Sequence, residues 1–237
     1  MIFSRLPLSA DFCTTNQGPT STYSPVARGD RPKPALALWV QATRATAGGF
    51  RARKLLAGAW AAVAPAAVRL PAESLRYGSG PRHGAVASDG DGRLWWSTSI
   101  SHSAAGPVVA AAVVVQPIDR CRDGLGITVG VDVEPVNRFV HPGVARLLAA
   151  RADREAAIVA NGTVPLLVVV CVKEAVFKAD PSQRGRVLSD YAWITAEAEG
   201  ASGWCGVAIA GEDPRQKFFI RVIRVDDHWV AVAFGAW

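Results

Sequence analysis

Leu166–Ala179, LLVVVCVKEAVFKA, constrains the fold more than any other stretch of this chain. Valine favours strands, so propensity alone makes Leu166–Val172 a buried strand. Continued through Ala179, however, the run is longer than a usual strand. Its charges also fit a helical turn, with Glu174 and Lys178 (i, i+4) on one face. The stretch therefore reads as a helix whose valines are buried all round. A carboxylate at the end of such a helix needs a counter-charge, because an unpaired buried carboxylate is costly. Glu174 either pairs with Lys178 or meets something more highly charged.

Half of the 237 residues are hydrophobic, enough for one large domain or two small lobes sharing a core. No apolar run reaches the roughly 18 residues that cross a bilayer, so no membrane is expected. The N-terminal MIFSRLPLSADFCTTNQGP has no charged n-region followed by an apolar h-region and does not read as a signal peptide. Cys13, Cys121, Cys171 and Cys205 are scattered, without the paired spacing of a zinc knuckle. Cys171, inside the buried run, reads as a reduced core thiol, which points to the cytoplasm. The net charge of +6 favours an acidic partner, whether nucleic acid, phosphorylated ligand or acidic protein, and does not choose among them.

Residues 1–34 show no sustained period and read as a loosely structured lead-in. Ala35–Gln41 reads as a strand. Phe50–Ala66 reads as a helix with Arg51, Arg53 and Lys54 near its start: a solvated basic face, or a contact with phosphate. Asp91-Gly92 is a hairpin signal, and beyond it two strands flank the polar turn Ser101–Gly106. His102 lies there among Ser99, Ser101 and Ser103, either as a loop histidine or as part of a phosphate-binding loop. Gln116–Gly126 is the best boundary between an N-terminal lobe, 35–116, and a C-terminal lobe, 117–237. His141–Ala160 reads as a helix ended by Asn161-Gly162. After the Leu166–Ala179 helix, four segments separated by turn residues fit an antiparallel meander.

Ile127–Glu134 alternates as a strand, with Gly130 permitting close backbone approach and Pro135 ending the ladder. Asp132 and Glu134 then point to one face, about 7 Å apart along the strand. Two carboxylates so placed repel, and one pKa rises unless a cation intervenes. Val129, Val131 and Val133 on the other face mark a core element, which favours a cation over relief by solvent. Hard oxygen ligands without nearby His or Cys point to Mg²⁺ or Mn²⁺ rather than zinc.

Three short segments together resemble a known family. GVDVE at Gly130–Glu134 and KEAVFKA at Lys173–Ala179, some forty residues on, resemble the signature of 4′-phosphopantetheinyl transferases. The likeness is to the Sfp-type and enterobactin-type branch, and SISHS at Ser99–Ser103 resembles that branch's third element. The resemblance covers residues 50–237 and leaves 1–34 unexplained. It implies an α+β fold, a pseudo-two-fold pair of similar α/β lobes with the active site in the cleft between them, in a monomer. It implies Mg²⁺ as cofactor, coenzyme A as co-substrate and an acyl or peptidyl carrier protein as partner. The phosphopantetheine arm would pass to a carrier serine, releasing adenosine 3′,5′-bisphosphate. By position, Asp132, Glu134 and Glu174 would hold the metal, and Glu174 would also be the base. Lys178 would sit near the pyrophosphate and Lys173 would contact coenzyme A phosphates. His102 would meet the 3′-phosphate with Ser101 nearby, and Arg53 and Arg82 occupy places of basic coenzyme A contacts.

The chain departs from the family pattern at Val170, where an aromatic is usual, at Ala57, where a second basic residue is common, and at Ala85, where a lysine is expected. Two other classes stay open. A different Mg²⁺-dependent phosphoryl or nucleotidyl transfer enzyme would use the same carboxylates and lysines. A nucleic-acid-binding module is argued against by the tryptophans: Trp60, Trp193, Trp204 and Trp229 sit in apolar periodic segments and do not interleave with a basic patch.

Overall fold

The alternation in the last third of the chain builds its main sheet. In the computed structural model, which describes residues 35–42, 94–103, 108–117, 127–141, 143–144, 164–199, 203–211 and 216–236, four strands follow one another: β5 Tyr191–Ala198, β6 Gly203–Ala210, β7 Lys217–Val225 and β8 His228–Ala236. They pair antiparallel in sequence order, the meander expected from the sequence. On β7, Phe218, Ile220 and Val222 are buried while Lys217 and Phe219 are open to solvent, the two-residue period of a strand with one face on a core. β7 and β8 join through Asp226-Asp227, and Asp226 takes φ 51°, a conformation aspartate tolerates in tight turns.

β4, Ile127–Pro135, adds to the free edge of β8 and completes a five-stranded sheet in the order β4-β8-β7-β6-β5. A second, three-stranded sheet has the order β1-β3-β2, from β1 Ala35–Ala42, β2 Leu94–His102 and β3 Val108–Pro117, all antiparallel. The α+β class stands on these two sheets and one helix.

That helix, α1, is Leu166–Ala179, so the valine run is helical against its local propensity. Val168, Val169, Val170, Cys171 and Val172 are all buried, as a helix apolar on every side requires. It lies on the sheet face formed by Trp229, Ala231 and Ala233 of β8 and Phe218, Ile220 and Val222 of β7, with Tyr191 and Trp193 at the β5 end. Burial of that many apolar side chains outweighs a strand preference, which spans only about 1 kcal/mol per residue.

Gly130 sets how close α1 comes to β4. A Cβ there would stand 1.9 Å from the Ala175 carbonyl oxygen and 2.6 Å from the Ala179 nitrogen, so the two backbones touch where a side chain would separate them. Thr128 Oγ1 donates to the Ala179 carbonyl at 2.5 Å, closing the same contact one turn on. The same end of α1 is capped by Asp180. Its amide donates to Val176, and its carboxylate accepts from the Ser182 amide and hydroxyl at 2.7 Å each and from the Tyr191 hydroxyl at 2.8 Å.

Several sequence expectations lie outside the described residues: the 1–34 lead-in, the Phe50–Ala66 helix with Arg53, Ala57 and Trp60, Arg82, Ala85, the Asp91-Gly92 turn, the boundary beyond Pro117, and the helix and stop signal at 145–162. Among the described residues no helix is long and apolar enough to cross a membrane.

Candidate metal centre

The strand period of β4 carries the site. Gly130, Asp132 and Glu134 face α1, opposite the buried Val129, Val131 and Val133. Because Gly130 lets α1 approach, Glu174 on the helix meets the two strand carboxylates. One oxygen from each of Asp132, Glu134 and Glu174 lies within 4.8 Å of the others. Asp132 and Glu134 are 2 % and 5 % exposed; Glu174 is half-buried.

Lys178 answers the question raised by Glu174. Its ammonium forms its salt bridge with Asp132 Oδ1 at 2.7 Å, and also donates to Ser101 Oγ at 3.1 Å and the Val131 carbonyl at 3.2 Å. Glu134 takes its cation from its own strand end. The Arg138 amide donates to the Pro135 carbonyl at 2.9 Å, and this turn brings the guanidinium back onto Glu134 Oε1. Arg138 was not singled out from the sequence; its signal is the i, i+4 spacing from Glu134 across a proline-initiated turn.

Electrostatics follow from the crowding. Burial first, then the charge of Asp132, pushes Glu134 from the usual 4.5 up to about 7, with Arg138 opposing only in part. Burial and Asp132 also raise Glu174, against Lys178 and Arg138. Two carboxylate oxygens, Asp132 Oδ2 and Glu134 Oε2, are buried without a hydrogen-bond partner, an arrangement that costs free energy unless something charged meets them. A divalent cation would meet them in charge and in donor type, since the three groups offer only hard oxygens.

The remaining expected residues fall as follows. Ser101, 5 % exposed, joins the cluster by donating to Asp132 Oδ1 at 2.7 Å, a role the sequence did not show. Ser99 accepts from the Val131 amide at 2.9 Å. His102 is the last residue of β2, its backbone paired with Val109. Lys173 is 1 % exposed and donates to the Tyr191 carbonyl at 2.5 Å, turned toward β5. It is next to Glu174 in the helix, and that one-residue rotation of about 100° puts the two on different faces. Cys171 is a buried free thiol. No family model matches the chain, and no curated protein matches it significantly.

Proposed function

We propose that the protein is a 4′-phosphopantetheinyl transferase that moves the phosphopantetheine arm of coenzyme A to a serine of an acyl or peptidyl carrier protein. One observation carries the reading. The three segments that resemble the family, from β2, β4 and α1, converge on a single cluster of Ser101, Asp132, Glu134, Glu174 and Lys178. Residues so distant in sequence have no local reason to meet.

On this reading the three-stranded and five-stranded sheets belong to two lobes with the cleft between them. Asp132, Glu134 and Glu174 hold Mg²⁺ or Mn²⁺, which when bound neutralises charge on the pyrophosphate of coenzyme A. Glu174, the most open of the three, would take the proton of the attacking serine hydroxyl, directly or through water. Lys178 holds Asp132 rather than standing free. The contact of His102 with the 3′-phosphate and the basic coenzyme A contacts of Arg53 and Arg82 belong to the same proposal.

Mass spectrometry of apo acyl and peptidyl carrier proteins incubated with the protein, coenzyme A and Mg²⁺ tests it. A gain of one phosphopantetheine that EDTA abolishes is the expected result. No gain on any carrier, with metal-dependent turnover of another phosphate ester, would move the assignment to a different phosphoryl transfer.

A further inference from the structure

The contacts around the strand carboxylates divide each of them unequally. Asp132 Oδ1 accepts from both Ser101 Oγ and Lys178 Nζ at 2.7 Å, whereas Oδ2 is buried with no partner. Glu134 repeats the pattern, with Oε1 taken by Arg138 and Oε2 buried and open. We propose that Ser101 is a positioning residue that makes Asp132 a one-oxygen ligand and thereby selects a small six-coordinate cation over a larger one. This rests on the metal-site reading above.

The hydrogen bonding of the brace is nearly saturated. A serine hydroxyl has one proton, which goes to Asp132, and its oxygen accepts from Lys178. The ammonium has three protons, and all are placed, on Ser101, the Val131 carbonyl and Asp132. Neither donor can turn away without breaking a second bond, so Oδ1 stays engaged and the carboxylate cannot rotate to offer both oxygens. Ca²⁺ takes six to eight oxygens and uses two-oxygen carboxylates, whereas Mg²⁺ and Mn²⁺ suit single oxygens in an octahedron. Ser101 acts across a sheet boundary. It stands on β2 while its ligand is on β4, and Ser99, on the same strand face, holds the neighbouring Val131 amide.

The test is Mn²⁺ binding to the EDTA-stripped full chain, read from the free-ion electron paramagnetic resonance signal, with Ca²⁺ as competitor. Wild type is expected to bind Mn²⁺ and to yield it to Ca²⁺ only weakly. Ser101→Ala should weaken Mn²⁺ about tenfold, the lower end of what loss of an outer-sphere partner costs, and narrow the preference over Ca²⁺. Ser101→Thr, which keeps the hydroxyl, should restore both. Ser99→Ala removes the adjacent inter-sheet bond without touching Asp132 and should leave Mn²⁺ affinity within about twofold, since it removes no partner of a ligand. If Ser101→Ala does not fold, Ser101→Thr against Ser101→Val reads the hydroxyl at constant volume. Equal Mn²⁺ and Ca²⁺ binding with and without the hydroxyl would overturn the inference while the metal site stood. Equal weakening by Ser99→Ala would also overturn it, because the effect would then be one of packing. No Mn²⁺ uptake by wild type would remove the metal reading and the inference together.

Discussion

Glu134 lies buried beside Asp132, and its carboxyl is pushed up to about 7 from the usual 4.5. The folded state therefore binds more protons than the unfolded state between those values, so this group makes the metal-free protein less stable as pH rises through that window. Above about 7 the loss is complete. Urea denaturation of the EDTA-treated protein at about pH 5 and about pH 8 should show the lower midpoint at the higher pH. With Mn²⁺ present the trend should flatten or reverse, because the ion needs the ionised carboxylate. At the same scale, Asp132→Ala should cut the proposed phosphopantetheine transfer by at least about a hundredfold, since a metal's charge stabilisation is worth several kcal/mol and each 1.36 kcal/mol is tenfold. Its circular dichroism should match wild type. Full activity in this variant, measured by carrier-protein mass shift, would remove Asp132 from the site.

At the level of elements, the site depends on how α1 seats on β4. Gly130→Ala places a methyl against the Ala175 carbonyl, backbone that cannot swing aside. We expect a loss of about 3 kcal/mol or more, with helix and strand driven apart and metal binding lost along with stability. A variant that denatures at the wild-type urea concentration would show that the contact is looser. The same C-terminal end of α1 is held by Asp180 and the Tyr191 hydroxyl, whose own pKa is raised by burial and by that carboxylate. Tyr191→Phe deletes one of the bonds to a buried acid while keeping the ring and its edge-on contact with Phe177. It should cost about 1–3 kcal/mol in chemical denaturation.

For the molecule as a whole, the proposed cation at residues from β4 and α1, with one of them braced from β2, would stabilise the joined structure and not one element. At a free Mn²⁺ concentration of about 100 Kd the gain is about 2.7 kcal/mol, which for a chain of this size raises Tm by about 5–10 °C. EDTA should reverse it. A Tm that does not move while Mn²⁺ is demonstrably bound would mean that the ion sits elsewhere.

Alternation and length determined the kinds of element: five strands of one sheet, and a helix where valines alone favour a strand. The same alternation put Asp132 and Glu134 on one face, because side-chain direction in a strand follows from the backbone and needs no tertiary partner. What periodicity does not encode is which charge meets which. Lys178 sits one turn from Glu174 yet bonds Asp132, 46 residues away, and Ser101 reaches the same oxygen across 31 residues. Lys173, adjacent to Glu174 in sequence, ends enclosed beneath β5. Those choices depend on the closeness of α1 and β4 that Gly130 permits and on the edge contact of β2 with β4, since a hydrogen bond is decided within a few tenths of an ångström and only the packed chain sets distances that fine.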